Sequence, residues 1–485
     1  MRRAKIVCTL GPATESVERV RELIAAGMDV ARFNMSHGSH DDHDRRYSIV
    51  REVSEEFDRP VAILADLQGP KIRLGTFTDG PHDLAAGDEF VITTEDVEGT
   101  ASMCSTTHQG LSEDSAPGDR LLIDDGKIVV EVISVDGPQV RTRVIEGGPV
   151  SNNKGINLPG VAVNVPALSE KDEEDLRWAM RTGVDLVALS FVRDPDDIIP
   201  VHAIMDEFGH RVPVIAKLEK PQAIANLERI VIAFDGIMVA RGDLGVELPL
   251  WEVPLVQKRA VELARRRAKP VIVATQMLES MISSFRPTRA EASDVANAIL
   301  DGADAVMLSG ETSIGAYPIE AVETMAHIIE TTEEEGFERI PRLTTKPRTG
   351  GGAITLAASD TGALMGAQYL AAFTQSGDSA RRLARLRSPI PMLAFTPLES
   401  TRRQLALVWG VQALVVELAP NTDDAVRIVD ATLREDGLAS DGDLIVLVSG
   451  SPPGHAGTTN TMRLHRIGDP VEGVVPQNPG SVHDG

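Results

Sequence analysis

Two cysteines in 485 residues, Cys8 and Cys104, are too few for a disulfide framework, and neither has a metal-ligating neighbour at short spacing. That excludes redox chemistry and a thiolate metal centre. Aromatic residues make up only 4% of the chain, which leaves no stacking platform for nucleic-acid bases. Positive charge is also in deficit: 48 basic against 72 acidic residues give a net charge of −24, which repels nucleic acid and anionic membranes. No apolar run reaches the roughly 18 residues of a membrane span, and the short apolar stretch after Arg2-Arg3 does not make a signal peptide. The chain reads as cytoplasmic. If its substrates are anionic, the few lysines and arginines must be concentrated where those substrates bind.

What is present is a regular alternation. The length suits about three domains. Eight β-rich runs recur, at 5–10, 29–36, 61–67, 186–192, 213–219, 236–245, 270–277 and 305–312, most of them followed by a helical segment. Ser169 reads as an N-cap with an acidic first turn behind it, and Pro195 and Pro221 as first-turn prolines. Eight such units predict an α/β fold with a closed (β/α)8 TIM barrel; an open doubly wound sheet is the alternative.

Between the third and fourth units the texture changes. Asp-Gly pairs at 79–80, 125–126 and 136–137 separate alternating strands such as 127–134, predicting an inserted small β-barrel domain that caps the barrel's catalytic end. A basic, glycine-ended linker at 342–352 precedes a C-terminal α/β domain, with strands expected at 370–374, 392–395, 413–418 and 444–449. The expected boundaries are 1–69 and 159–344 for the barrel, 70–158 for the cap, 345–470 for the C-terminal domain and 471–485 for a tail.

The ends of the barrel strands carry Thr9, Arg32, Asn34, Ser36, Asp66, Ser190, Lys217, Glu219, Asp243, Thr275, Ser309 and Glu311. Strand alternation puts Lys217 and Glu219 on one side. Alone they make an ion pair; with Asp243 at the next strand end, two carboxylates form an oxygen site suited to Mg²⁺ or Mn²⁺.

Several segments resemble the pyruvate kinase family over nearly the whole chain. They include Cys8-Thr-Leu-Gly-Pro12, Ala31-Arg-Phe-Asn-Met-Ser-His-Gly38, Asp66-Leu-Gln-Gly-Pro-Lys-Ile-Arg73, Lys154-Gly-Ile-Asn-Leu-Pro-Gly160, Lys217-Leu-Glu-Lys220, Ala240-Arg-Gly-Asp-Leu-Gly-Val-Glu247, Ala274-Thr-Gln-Met-Leu-Glu-Ser280, Arg286-Pro-Thr-Arg-Ala-Glu291 and Met307-Leu-Ser-Gly-Glu-Thr312. The resemblance implies phosphoryl transfer from phosphoenolpyruvate to ADP, giving pyruvate and ATP. It assigns Lys217, Arg32 and Thr275 to catalysis, and Arg32, Gly242, Asp243 and Thr275 to the substrate. Glu219 and Asp243 match the Mg²⁺ (or Mn²⁺) ligands. Asn34, His37, Arg73 and Lys154 match the nucleotide site, and backbone N–H groups near Gly242 are candidates to hold an anion. A homotetramer is implied, with Arg286 to Arg289 near a subunit boundary. Plain alternatives stand beside these roles: surface ion pairs for Arg32 and Arg73, a structural histidine for His37.

Two features depart from or extend the family pattern. Family members that bind K⁺ do so through residues matching Asn34, Ser36, Asp66 and the Leu67 carbonyl, and usually carry glutamate where this chain has Lys71. The Lys71 ammonium is expected to supply the charge that K⁺ supplies elsewhere; a solvated lysine without a role is the alternative. Thr374, Ser376 and Ser379 resemble the loop that holds the phosphate of an allosteric sugar phosphate or AMP, with the segment 449–458 closing over it, although Asp378 would oppose an anion there. The rivals are a Mg²⁺-dependent aldolase on the same barrel and a catalytically silent metabolite sensor.

Overall fold

The computed structural model describes residues 2–124, 126–161, 166–344, 346–451 and 459–471. Eight parallel strands close into a barrel in sequential order around the ring: Lys5–Thr9, Val30–Asn34, Ala62–Asp66, Leu186–Leu189, Val214–Leu218, Gly236–Ala240, Val271–Ala274 and Ala305–Leu308. Each is shorter than its apolar run, because several C-terminal extensions turn directly into helices. The run 236–245 is a strand only to Ala240 and then the helix Arg241–Glu247, while 305–312 gives way to the helix Gly310–Ser313.

Both faces of these strands are buried, and alternation divides the labour. One set, including Val7, Val30, Leu64, Ala188, Ile215, Met238 and Ile272, packs together inside the ring. The other set, including Ile6, Ala31, Phe33, Ile63, Val187, Ala216 and Val273, packs outward against the helices. Continuing the inward series by two residues leads from Val7 to Thr9, Leu64 to Asp66, Ala188 to Ser190, and Ile215 to Lys217 and Glu219. The same periodicity that fills the lower barrel with hydrocarbon therefore delivers polar groups to its mouth. At the other end, Ala406 and Leu407 join the inward apolar cluster and plug the barrel floor.

Helix starts follow the expected chemistry. Ser169 caps Glu170–Thr182 with a reciprocal bond to Asp172, and Pro195 and Pro221 sit in first turns.

The insertion is β-rich, with one short helix at Leu111–Asp114, and has its own core, built on Phe90, Ile92, Leu121 and Val130. Six strands form one sheet and His82–Leu84 pairs with Gly148–Val150 in a second. The segment 73–77 links the two edges of the larger sheet, bridging to Gly155 beside one edge and to Thr106 beside the other. Leu74 N–H donates to the Lys154 carbonyl at 2.8 Å and Gly75 N–H to the Ser105 carbonyl at 2.8 Å. The small barrel is thus completed by isolated bridges. The Asp136-Gly137 turn joins two long antiparallel strands as expected. Asp79-Gly80 does not make a hairpin, since the strand after it pairs with Gly148–Val150 instead. The third pair falls on Asp125, outside the described residues.

The C-terminal sheet has five strands, not four: Val411–Val415, Met392–Thr396, Tyr369–Phe373, Leu444–Gly450 and, antiparallel at one edge, Thr459–Arg466. The fifth escaped the sequence reading because an edge strand needs no apolar run; its core contacts come from single residues such as Thr459 and His465. The expected linker also ends early. Thr349 Oγ1 accepts the Gly352 N–H at 3.1 Å, so Gly350 to Gly352 form the first turn of the helix Gly350–Met365. The Thr349 hydroxyl offsets part of the entropy cost of the three glycines, and packing of the helix supplies the rest.

Candidate active site

At the barrel mouth, one buried network joins four strands. Arg32 Nε donates to Asp66 Oδ2 at 2.6 Å, and Arg32 Nη1 donates to Thr9 Oγ1 at 3.0 Å. The other Asp66 oxygen lies 3.3 Å from Lys217 Nζ. Lys217 Nζ is also 2.9 Å from Glu219 Oε1 and donates to Ser190 Oγ at 2.7 Å, whose hydroxyl passes to the Leu67 carbonyl at 2.7 Å. Asp66 and Glu219 are each 1% exposed, so these charges act through protein rather than water.

Burial alone would push the Lys217 ammonium down, but Asp66 and Glu219 outweigh it and hold it above its ordinary range. Asp66 is likewise buried, yet Lys217 and Arg32 keep its carboxyl below the usual carboxylate range. Burial pushes the Glu219 carboxyl up; the neighbouring Asp243 charge adds to this and Lys217 opposes it. Three carboxylates, Asp66, Glu219 and Asp243, face two cations, Arg32 and Lys217. A divalent cation would fit this imbalance and the all-oxygen donor set, and Glu219 and Asp243 are the side chains that could hold it.

Asp243 lies in the first turn of Arg241–Glu247 and lines a cavity of about 630 Å³ between the barrel mouth and the cap. Lys71, Thr275, Ser309 and Glu311 line the same cavity, and Leu122 reaches it from the cap. Thr275 and Gln276 have φ of 68° and 54°, a left-handed turn that costs free energy in non-glycine residues and redirects the chain at the strand end. Arg241 braces the turn, donating to the Thr275 carbonyl at 2.7 Å while paired with Asp294 at 2.6 Å. The Gly242 N–H, expected to be available to an anion, instead donates to Thr275 Oγ1 at 2.7 Å.

The nucleotide candidates are partly gathered. Arg73, Arg32 and Lys71 all lower the His37 pKa, after the larger effect of burial, so His37 lies in the field of three cations. Arg73 donates to the Asn153 carbonyl at 3.0 Å. Lys154 is held within the cap by Asp124 at 2.9 Å. Of the residues expected around a monovalent cation, Asn34 Oδ1 accepts the Ser36 N–H at 3.2 Å, the Leu67 carbonyl is taken by Ser190, and Asp66 is engaged by Arg32 and Lys217. Lys71 makes no ion pair among the described residues.

The effector candidates lie in the C-terminal domain, and two of their three hydroxyls are used internally. Thr374 Oγ1 accepts the Gly377 N–H at 3.0 Å, and Ser379 Oγ meets Thr459 Oγ1 at 2.5 Å. Ser376 is half-buried, and residues 452–458 of the covering segment lie outside the described residues. Asp378 is paired with Arg382 at 2.5 Å. Close by, a cleft of about 270 Å³ is lined by Arg266, Arg267, Lys346, Arg348, Arg382 and Arg385. Sequence reasoning missed this cleft because its residues come from a barrel helix, the linker and a C-terminal helix. It also missed the Phe191 N–H, which donates to Glu219 Oε2 at 2.6 Å from a residue at φ 54°. A backbone donor leaves no mark in the sequence.

No helix among the described residues is long and apolar enough to cross a membrane. Residues 1–322 match the family model "Pyruvate kinase, barrel domain" and residues 352–465 match "Pyruvate kinase, alpha/beta domain". The pyruvate kinase of Mycobacterium intracellulare is 59% identical over 468 residues, 96% of this chain and 99% of the relative. That of Corynebacterium glutamicum is 58% identical over 96% of this chain and 98% of the relative. A crystal structure of a pyruvate kinase from Cryptosporidium parvum superimposes with a TM-score of 0.88 at 33% identity, covering 96% of each chain.

Proposed function

This chain belongs to the pyruvate kinase family, and from that premise we propose how its own residues move a phosphoryl group from phosphoenolpyruvate to ADP. The observation that carries the proposal is the Lys217 ammonium, largely shielded, kept in its charged form by its neighbours and held between Asp66 and Glu219 at the barrel mouth. Phosphoryl transfer passes through a loose transition state with charge spread over oxygens, so catalysis rests on positioned positive charge. Lys217 supplies that charge to the migrating group and to the enolate left behind. Arg32, fixed by Asp66 and Thr9, adds a planar donor set for phosphate oxygens. Glu219 and Asp243 would hold a divalent ion, which when bound would supply further positive charge to the same oxygens. Thr275 and Gly242 shape the wall that receives the substrate carboxylate; His37, Arg73 and Lys154 serve the nucleotide. Formation of pyruvate and ATP from phosphoenolpyruvate and ADP, followed in a coupled assay with and without a chelator, tests this reading. Turnover that is indifferent to chelation would overturn it.

Monovalent activation is the second element. With Asp66 already engaged by two side-chain cations and Lys71 lining the substrate cavity, the positive charge needed near the phosphates is built into the chain. The enzyme therefore works without K⁺.

Regulation by a phosphorylated effector is the third. The clustering of six cations in one cleft of a chain with net charge −24 supports an anion site there, beside the Thr374 to Ser379 loop. Lys346, Arg348 and Arg385 have no carboxylate partner among the described residues. The exposed Leu250, Trp251 and Leu255 support assembly into the homotetramer that the family implies.

A further inference from the structure

Outside the substrate cavity, side chains from three distant parts of the chain meet on one oxygen. Glu247 Oε1 accepts from Lys220 Nζ at 2.6 Å and from Asn157 Nδ2 at 2.9 Å. Glu247 and Asn157 are buried, 6% and 4% exposed, so the junction is shielded from water. A buried carboxylate stripped of its partners is strongly disfavoured, and each donor therefore restrains where Glu247 sits.

The origins of the three groups matter. Asn157 belongs to Ile156–Asn157, the strand by which the chain returns from the cap. Lys220 follows Glu219 directly. Glu247 ends the helix whose first turn carries Asp243. Each candidate metal ligand is thus one covalent step, or one short helix, from a junction with the cap. A second path runs through Phe191: Lys220 Nζ stands 5.5 Å from its ring centroid, and its N–H donates to Glu219 Oε2.

We propose that Glu247 is a positioning residue that couples the seating of the cap to the placement of Glu219 and Asp243. The inference rests on the reading of those two carboxylates as the divalent-ion ligands. Metal binding then favours the cap position that keeps Asn157 on Glu247, and by reciprocity the seated cap raises metal affinity.

The test uses the full-length protein and Mn²⁺ alone. Mn²⁺ affinity is measured by electron paramagnetic resonance, and amide hydrogen exchange is followed in the segment 154–158 with and without the ion. In the wild type, Mn²⁺ is expected to slow exchange in that segment. Asn157→Ala, which leaves the Lys220–Glu247 pair intact, is expected to abolish this protection and weaken Mn²⁺ binding about 5-fold or more, the lower end of ordinary coupling strengths. Lys220→Met and Glu247→Gln are expected to act in the same direction, and Lys220→Arg to restore near-normal behaviour. If Mn²⁺ binds through Glu219, as judged by its loss in Glu219→Gln, while Asn157→Ala changes neither affinity nor exchange, the ligand assignment stands and the coupling is overturned. If Mn²⁺ binding survives Glu219→Gln, or is absent from the wild type, the ligand assignment fails and the coupling fails with it. Should Glu247→Gln not fold, Asn157→Ala decides alone.

Discussion

Asp66 and Lys217 stand 3.3 Å apart although their strands are not neighbours in the barrel; the strand Leu186–Leu189 runs between them. The contact exists because both residues point inward at the level where the hydrocarbon filling ends. It puts an ammonium at the centre of the mouth with two carboxylates fixing its position. Lys217→Met is therefore expected to lower kcat by about 10²–10³-fold, the scale seen when one charge-stabilising group is removed. Mn²⁺ binding should persist in this variant, measured by electron paramagnetic resonance. Near-normal turnover would contradict the role.

Lys71 has a sharper consequence because its charge can be reversed. With tetramethylammonium as the only monovalent cation, the wild type is expected to run at the rate it shows in K⁺. Lys71→Glu changes the local charge by two units and should make the rate rise steeply with K⁺. Steady-state assays over a K⁺ titration read both outcomes, and a wild type that needs K⁺ refutes the assignment.

The basic cleft predicts selective loss of regulation. At sub-saturating phosphoenolpyruvate, sugar phosphates and AMP are expected to raise the rate. Arg348→Ser with Arg385→Ser should weaken that activation about 10-fold or more in effector concentration, since charge-assisted bonds to phosphate are lost. The rate without effector should stay within about 2-fold, because both residues lie away from the barrel mouth. Activation that survives the double substitution would move the effector elsewhere.

A pH effect follows from His43, buried and stacked against Phe33 at 5.7 Å between ring centroids. Burial, then the Arg46 charge, push its imidazole down to about 4. The unfolded chain binds this proton first as pH falls, so stability is unaffected above about pH 6.5 and is lost between there and about pH 4. The contribution is at most ~3 kcal/mol. Urea unfolding at pH 7 and pH 5 should show it, and His43→Gln should flatten the difference.

The inserted cap and the barrel were legible for different reasons. Barrel strands buried on both faces read as apolar runs, and their polar ends marked Arg32, Asp66, Lys217 and Glu219 directly. The cap's alternating strands and its Asp136-Gly137 turn marked a β-rich insertion, but its short helix Leu111–Asp114 and its closure through the segment 73–77 were not legible, the latter because isolated bridges need only backbone groups. The edge strand Thr459–Arg466 was missed for a related reason: one covered face and a sheet edge demand little hydrophobicity.

The amino-acid order by itself determined the alternation of eight β/α units, the polar strand ends and the departure at Lys71, since each is written in local periodicity or residue type. Only the folded molecule decided that Asp66 serves Arg32 and Lys217 at once, that Thr275 occupies the Gly242 N–H, and that Glu247 joins the cap to the segments carrying Glu219 and Asp243. Those arrangements depend on barrel closure, which brings residues tens to hundreds of positions apart to within hydrogen-bonding distance. Local sequence pattern carries no record of such separations.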